Sequence, residues 1–108
     1  MTNSYSESVC GVSRAMTVLG GKWTLLIIRY LLDGPRRFSE LETSLGGISP
    51  RTLALRLKEL EHDGILTRDC AADPAHPHYT LTQRGLQLSD IVAQMRAWGS
   101  AQELAAQP

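Results

Sequence analysis

Ser49, Arg51, Thr52 and Arg56 bring hydroxyl and guanidinium groups into one short stretch, Ile48 to Gly64. Guanidinium forks match the O6 and N7 acceptors of guanine, while hydroxyls and a helix N-terminus suit phosphate oxygens. The stretch reads as one helix with both ends marked. Ser49 can cap its first turn, Pro50 suits the first helical position, where no N–H is needed, and Gly64 suits the left-handed residue just past the end. Leu53, Leu57 and Leu60 recur at helical spacing and form a stripe that needs a core. The far side then presents Arg51, Thr52, Leu55, Lys58, Glu59 and His62, with Arg56 on its shoulder. An ordinary amphipathic helix with a solvated charged face fits the same pattern, so the flanking sequence has to decide.

A second set of groups lies upstream. Arg36-Arg37-Phe38, a short extended piece, precedes Ser39-Glu40-Leu41-Glu42, which reads as a capping box that starts a helix at Ser39. Arginines at that place can pair with phosphates, or be solvated charges on an edge strand. Cys10 precedes the first helical segment, with Arg14 one turn along; a helix N-terminus and a nearby cation both lower a thiol pKa. Cys70 falls on a strand and has no such terminus, although it can serve as a resolving partner if the two approach across a dimer. The wing histidines, His76 and His78, read as loop residues. Two cysteines without ligand spacing give no zinc site, and no metal or cofactor is expected. No glycine-rich phosphate loop, nucleophile with an evident base or paired acidic site supports an enzyme.

These groups must be positioned by a single 108-residue domain of 43% hydrophobic and 20% charged residues, the composition of a globular protein. Eleven basic and eleven acidic residues cancel, so a case for nucleic acid rests on where the charges sit. No apolar run reaches the roughly 20 residues of a membrane span and no secretory signal is recognisable, which gives a cytoplasmic expectation.

In chain order, residues 1–9 read as a flexible polar tail and Cys10–Leu19 as a short helix ended by Gly20-Gly21. Lys22–Leu32 is nearly all apolar and reads as the central buried helix, with Trp23 as a core anchor. The helix from Ser39 stops at Gly46-Gly47, and the basic helix follows: a helix-turn-helix. Ile65–Cys70 and His78–Thr82 alternate as the two strands of a hairpin, a wing, around a loop with Pro74 and Pro77. Thr82 caps a last helix from about Gln83 to Trp98. The fold class is mainly α with a small β-hairpin wing (α+β), a winged helix-turn-helix over residues 10–99, followed by a tail at 100–108 that extends the helix or frays. Leu88, Ile91, Met95 and Trp98 form a stripe larger than so small a core needs, and Val12 and Met16 of the first helix supply a second surface. Burying both on a two-fold partner makes a homodimer.

Gly20-Gly21-Lys22-Trp23-Thr24-Leu25-Leu26-Ile27, Gly34-Pro35-Arg36-Arg37-Phe38-Ser39-Glu40-Leu41, Ile48-Ser49-Pro50, Arg56-Leu57-Lys58-Glu59-Leu60-Glu61, Asp63-Gly64 and Tyr79-Thr80-Leu81-Thr82 occur in that order. Together they strongly resemble the HxlR family of bacterial winged helix-turn-helix transcription regulators, over roughly Cys10 to Trp98. The resemblance implies a sequence-specific regulator of double-stranded DNA. It implies a homodimer joined through its first and last helices, with recognition helices in successive major grooves of a pseudo-palindromic operator. On that reading Arg36, Arg37, Ser39, Ser49, Arg51, Thr52, Leu55 and Arg56 meet DNA. Several family members sense an oxidant or a small electrophile through a cysteine just before the first helix, and Cys10 stands there. Three features depart from the family: Ala54 and Leu55 stand where polar side chains are frequent, the wing has His76 and His78 in place of an arginine near its tip, and Gly11 replaces a usual proline. The rival reading is a winged helix that binds protein rather than specific DNA, favoured by the zero net charge and the apolar Leu55.

Overall fold

The computed structural model describes residues 10–106, so the tail expected at residues 1–9 lies outside the described residues, as do 107 and 108. The elements are α1 (Gly11–Leu19), α2 (Lys22–Leu31), β1 (Arg36–Arg37), α3 (Phe38–Leu45), α4 (Pro50–His62), β2 (Leu66–Asp69), β3 (His78–Leu81), α5 (Gln83–Leu86) and α6 (Ser89–Ala106). Ile27 and Ile28 of α2, Leu41 of α3, Leu53, Leu57 and Leu60 of α4 and Leu66 of β2 form the centre of the core. Helix α2 is central, as its composition requires, and its buried Thr24 is satisfied by donating to the Gly20 carbonyl at 3.0 Å. Trp23, by contrast, is only partly buried at the edge of the core, with the Lys22 ammonium 4.7 Å from its ring centroid. Leu26 is exposed on the outer side of α2.

Helix α4 has the ends its sequence calls for. The Ser49 hydroxyl accepts from the Thr52 N–H at 3.1 Å, and Pro50 opens the helix. At the other end Gly64 adopts φ 76°, and the N–H groups of Gly64 and Ile65 return to the Glu61 and Leu60 carbonyls at 3.1 and 2.9 Å. That paired return is a Schellman motif. Gly46 and Gly47, both at positive φ, turn the chain from α3 into the buried Ile48 and so into α4.

Three local expectations are corrected. Helix α3 starts at Phe38 and is capped at Arg37, whose N–H donates to Glu40 Oε1 at 2.8 Å; Ser39 lies inside the first turn. Strand β1 holds Arg37 extended up to the helix, and Glu40 is the acid three residues on. The wing is not a two-stranded hairpin: β1 adds to it, giving antiparallel order β1-β3-β2 with Arg36 opposite Tyr79 and Arg37 opposite His78. The last helix is broken, because the Leu88 N–H bonds to the Gly85 carbonyl at 3.0 Å in a tighter turn. After that turn Val92 faces the core, and α6 runs through Gly99 without a stop.

Candidate nucleic-acid interface

The side of α4 away from the core carries exposed Arg51, Lys58, Glu59 and His62, with Leu55 half exposed and Thr52 partly buried. The Ser49 hydroxyl also donates to Thr52 Oγ1 at 2.9 Å, so these two hydroxyls form one small network at the helix start. Arg56 Nη1 bonds Glu59 Oε1 at 2.7 Å. This face of α4 lines an open groove of about 700 Å³ whose other wall is Met16, Thr17 and the Gly20-Gly21 turn. Leu55 and Arg56 thus share a groove with Met16, which the sequence assigns to dimerisation.

Arg36 and Ser39 come together with Glu40, Thr43 and Ser44 around a shallow depression beside α3. Arg36 Nη2 is 4.0 Å from Asp33 Oδ2, and Arg29 Nη1 is 2.8 Å from the same oxygen. The hydrogen bond from Arg29 and the charges of Arg29 and Arg36 hold the Asp33 carboxyl below its ordinary range. Arg37 is exposed, in register with His78 on the wing. In the wing loop Asp73 Oδ2 lies 3.1 Å from His76 Nδ1 and Asp73 Oδ1 accepts from the Ala75 N–H at 3.2 Å. The bond to His76 is the main cause of the lowered pKa of Asp73, with the Arg37 charge a lesser one.

Cys10 is exposed and caps α1 in an extended conformation. The backbone N–H groups of Ser13 and Val12 pull its thiol pKa down. Arg14, one turn along, donates its own N–H to the Cys10 carbonyl at 3.2 Å. Cys70 is half-buried, and its proximity is the main reason the Arg68 guanidinium is held above its ordinary pKa range.

Of the residues assigned to dimerisation, Val12 is 71% exposed and Trp98 69%, with Met16, Ile91 and Met95 near half. Leu88 instead packs against the chain's own core. Sequence reasoning missed Thr82's second role. Besides capping α5 by accepting from Gly85 N–H, its hydroxyl lies 2.6 Å from the Gly64 carbonyl and 3.1 Å from that of Ile65. It therefore ties the end of α4 to the start of α5, a contact between residues 18 apart that no local pattern announces. The Arg56–Glu59 pair did have a signal, the i,i+3 spacing of opposite charges.

The model of the HxlR-like helix-turn-helix family matches residues 18–106. The chain belongs to that family. It is 42% identical over 85 residues to the HTH-type transcriptional regulator YodB of Bacillus subtilis, covering 78% of this chain and 76% of YodB. Among solved structures, the reduced form of the redox regulator HypR superposes with a TM-score of 0.80 at 36% identity, over 87% of this chain and 94% of that one. Quinone-bound YodB from B. subtilis gives 0.71 at 39% identity, over 85% and 98%. This HxlR-like chain is therefore a helix-turn-helix transcription regulator and not an enzyme, and its fold is the winged helix of those relatives. Among its described residues no helix is long and apolar enough to cross a membrane.

Proposed function

We propose that this regulator binds a pseudo-palindromic double-stranded DNA operator as a cytoplasmic homodimer, and that modification of Cys10 by an oxidant or small electrophile alters that binding. The observation that carries the reading is α4 itself: a helix capped at Ser49, fully buried on its leucine side, with Arg51, Leu55 and Arg56 on its outer side. Arg51 and Arg56 serve base readout, Leu55 can meet a thymine methyl group, and Arg36, Arg37, Ser39, Ser49 and Thr52 serve phosphates. The exposed apolar faces of α1 and α6 support the homodimer.

Arg56→Ala is expected to cost about 1–3 kcal/mol on the preferred duplex and to relax specificity, as is Arg51→Ala. Arg36→Ala or Arg37→Ala should weaken all sequences alike and flatten the salt dependence. Gel shifts over a salt series, on a duplex selected from a random library, check both. A preference changed by Arg36→Ala but not by Arg56→Ala would reverse the assignment. Affinity indifferent to both sequence and salt would favour the protein-binding alternative.

Support for the thiol response comes from the exposed Cys10 at a helix start and from structural relatives described as a redox regulator and as quinone-bound. With a quinone, the Cys10 thiolate adds to a ring carbon to form a C–S bond. The proton lost by the thiol and the one displaced from that ring carbon end on the two oxygens of the resulting hydroquinone. Because the α1 N–H groups favour the thiolate, labelling of Cys10 by iodoacetamide should reach half its maximal rate at lower pH in the folded protein than in urea. The measurement uses a Cys70→Ser background. Identical pH profiles folded and unfolded would remove the helix terminus as the activating device. Quinone treatment should change DNA binding of the wild type and not of Cys10→Ser; equal effects on both would exclude Cys10.

A further inference from the structure

Arg56, the arginine best placed for base readout, is already engaged. Its Nη1 lies 2.7 Å from Glu59 Oε1 on the same face of α4, with the arginine side chain 33% and the glutamate 53% exposed. A pair this exposed contributes little to the fold. Among the described residues no carboxylate stands within 4.0 Å of Arg51 or Lys58, so the pairing is particular to Arg56.

Glu59 has opposite consequences for two kinds of DNA complex. On random sequence nearly all the binding energy comes from phosphates, and a carboxylate on the recognition face both repels them and competes for the guanidinium. On a site with guanine opposite Arg56, the fork uses two of its five N–H groups for O6 and N7. The remaining N–H groups can keep their bond to Glu59, which then holds the guanidinium plane in place. One carboxylate thus penalises the wrong complex and supports the right one.

We propose that Glu59 is a specificity-determining positioning residue, which holds Arg56 for guanine and keeps it from settling on phosphates. The inference rests on the reading of α4 as the recognition helix. It also accounts for how a chain with no net charge discriminates: affinity for DNA in general is low, and base contacts decide.

The test measures wild type, Glu59→Gln and Glu61→Gln on a duplex selected by the wild type and on a random-sequence duplex, across a salt series. Glu61 is the control, an exposed acid on the same helix with no basic partner within 4.0 Å among the described residues. Glu59→Gln should tighten the random duplex about three- to tenfold and leave the selected duplex within about twofold, with Glu61→Gln doing neither. On the random duplex its salt slope should steepen by about one. Unchanged thermal unfolding confirms that the fold is intact. Equal tightening on both duplexes, no tightening on random sequence, or the same result from Glu61→Gln would overturn the proposal and leave the DNA-binding reading standing. A wild type that prefers no duplex would overturn both.

Discussion

The double substitution Met95→Glu/Trp98→Glu is expected to yield a folded monomer whose affinity for the full operator is lower by about 10²–10⁴-fold, the range that linking two binding modules supplies. In the single chain Trp98 is 69% exposed and Met95 50%, so neither side chain is needed for the core of its own protomer. Helix α6 is 18 residues long, yet Val92 is its one buried residue among those with described side chains, leaving Ile91, Met95 and Trp98 uncovered. An apolar groove of about 260 Å³ runs beside Met95 along Leu25 and Leu26 of α2, giving a second copy something to fill. In the proposed dimer, burying these faces about a two-fold axis would have to set the two recognition helices about 34–36 Å apart, one turn of DNA. Placing carboxylates there makes their burial against a partner costly and leaves the monomer untouched. Light scattering gives the mass, and gel shifts on full and half operators give the affinities. A wild-type monomer at micromolar concentration, or a variant that stays dimeric, would refute this account of α6.

The legible parts of the chain were those whose causes are local. Ser49, Pro50 and Gly64 each act within a few residues of where they stand, so the ends of α4 followed from sequence, as did the burial of Leu53, Leu57 and Leu60. Arg51 and Arg56 lie on the outer side of α4 for the same reason, since the leucine stripe fixes which way that helix faces. That Arg36 and Arg37 are extended was legible, but not that they pair with the wing: two residues cannot display an alternation, and the partners Tyr79 and His78 lie far along the chain. The same pairing displaced the cap of α3 from Ser39 to Arg37. Leu88 was placed on a stripe by helical arithmetic that the tight turn after Gly85 resets. Thr82 looked like one more cap, because its contact with the end of α4 exists only once the strands have returned. At Cys10 the helix terminus was legible, and the N–H groups of Ser13 and Val12 act there as that position requires.

Two glycine-to-alanine substitutions should have opposite signs, although both positions are helical. In Gly85→Ala the new methyl would run into the Ile65 carbonyl oxygen and sit 3.0 Å from Leu81 Cδ2. Backbone cannot swing aside as a side chain does, so α5 must shift, at a cost of about 1–3 kcal/mol or somewhat more. For a domain of this size that is a fall in Tm on the order of 10 °C. The damage also has a direction. The Ile65 carbonyl accepts from the Thr82 N–H at 2.9 Å and lies beside the Schellman turn that ends α4. Displacing α5 loosens the tie between the recognition helix and α6, the proposed dimer arm. Full-operator affinity should therefore fall more than half-operator affinity, measured well below the new Tm. In Gly99→Ala, by contrast, the methyl meets nothing within 4 Å, in the interior of exposed α6. There the smaller backbone entropy loss of alanine should stabilise the helix by roughly 0.5–1 kcal/mol. Thermal unfolding of both variants at one protein concentration decides it. If Gly85→Ala were neutral, the close packing of α5 on the end of the recognition helix would not be what joins the two.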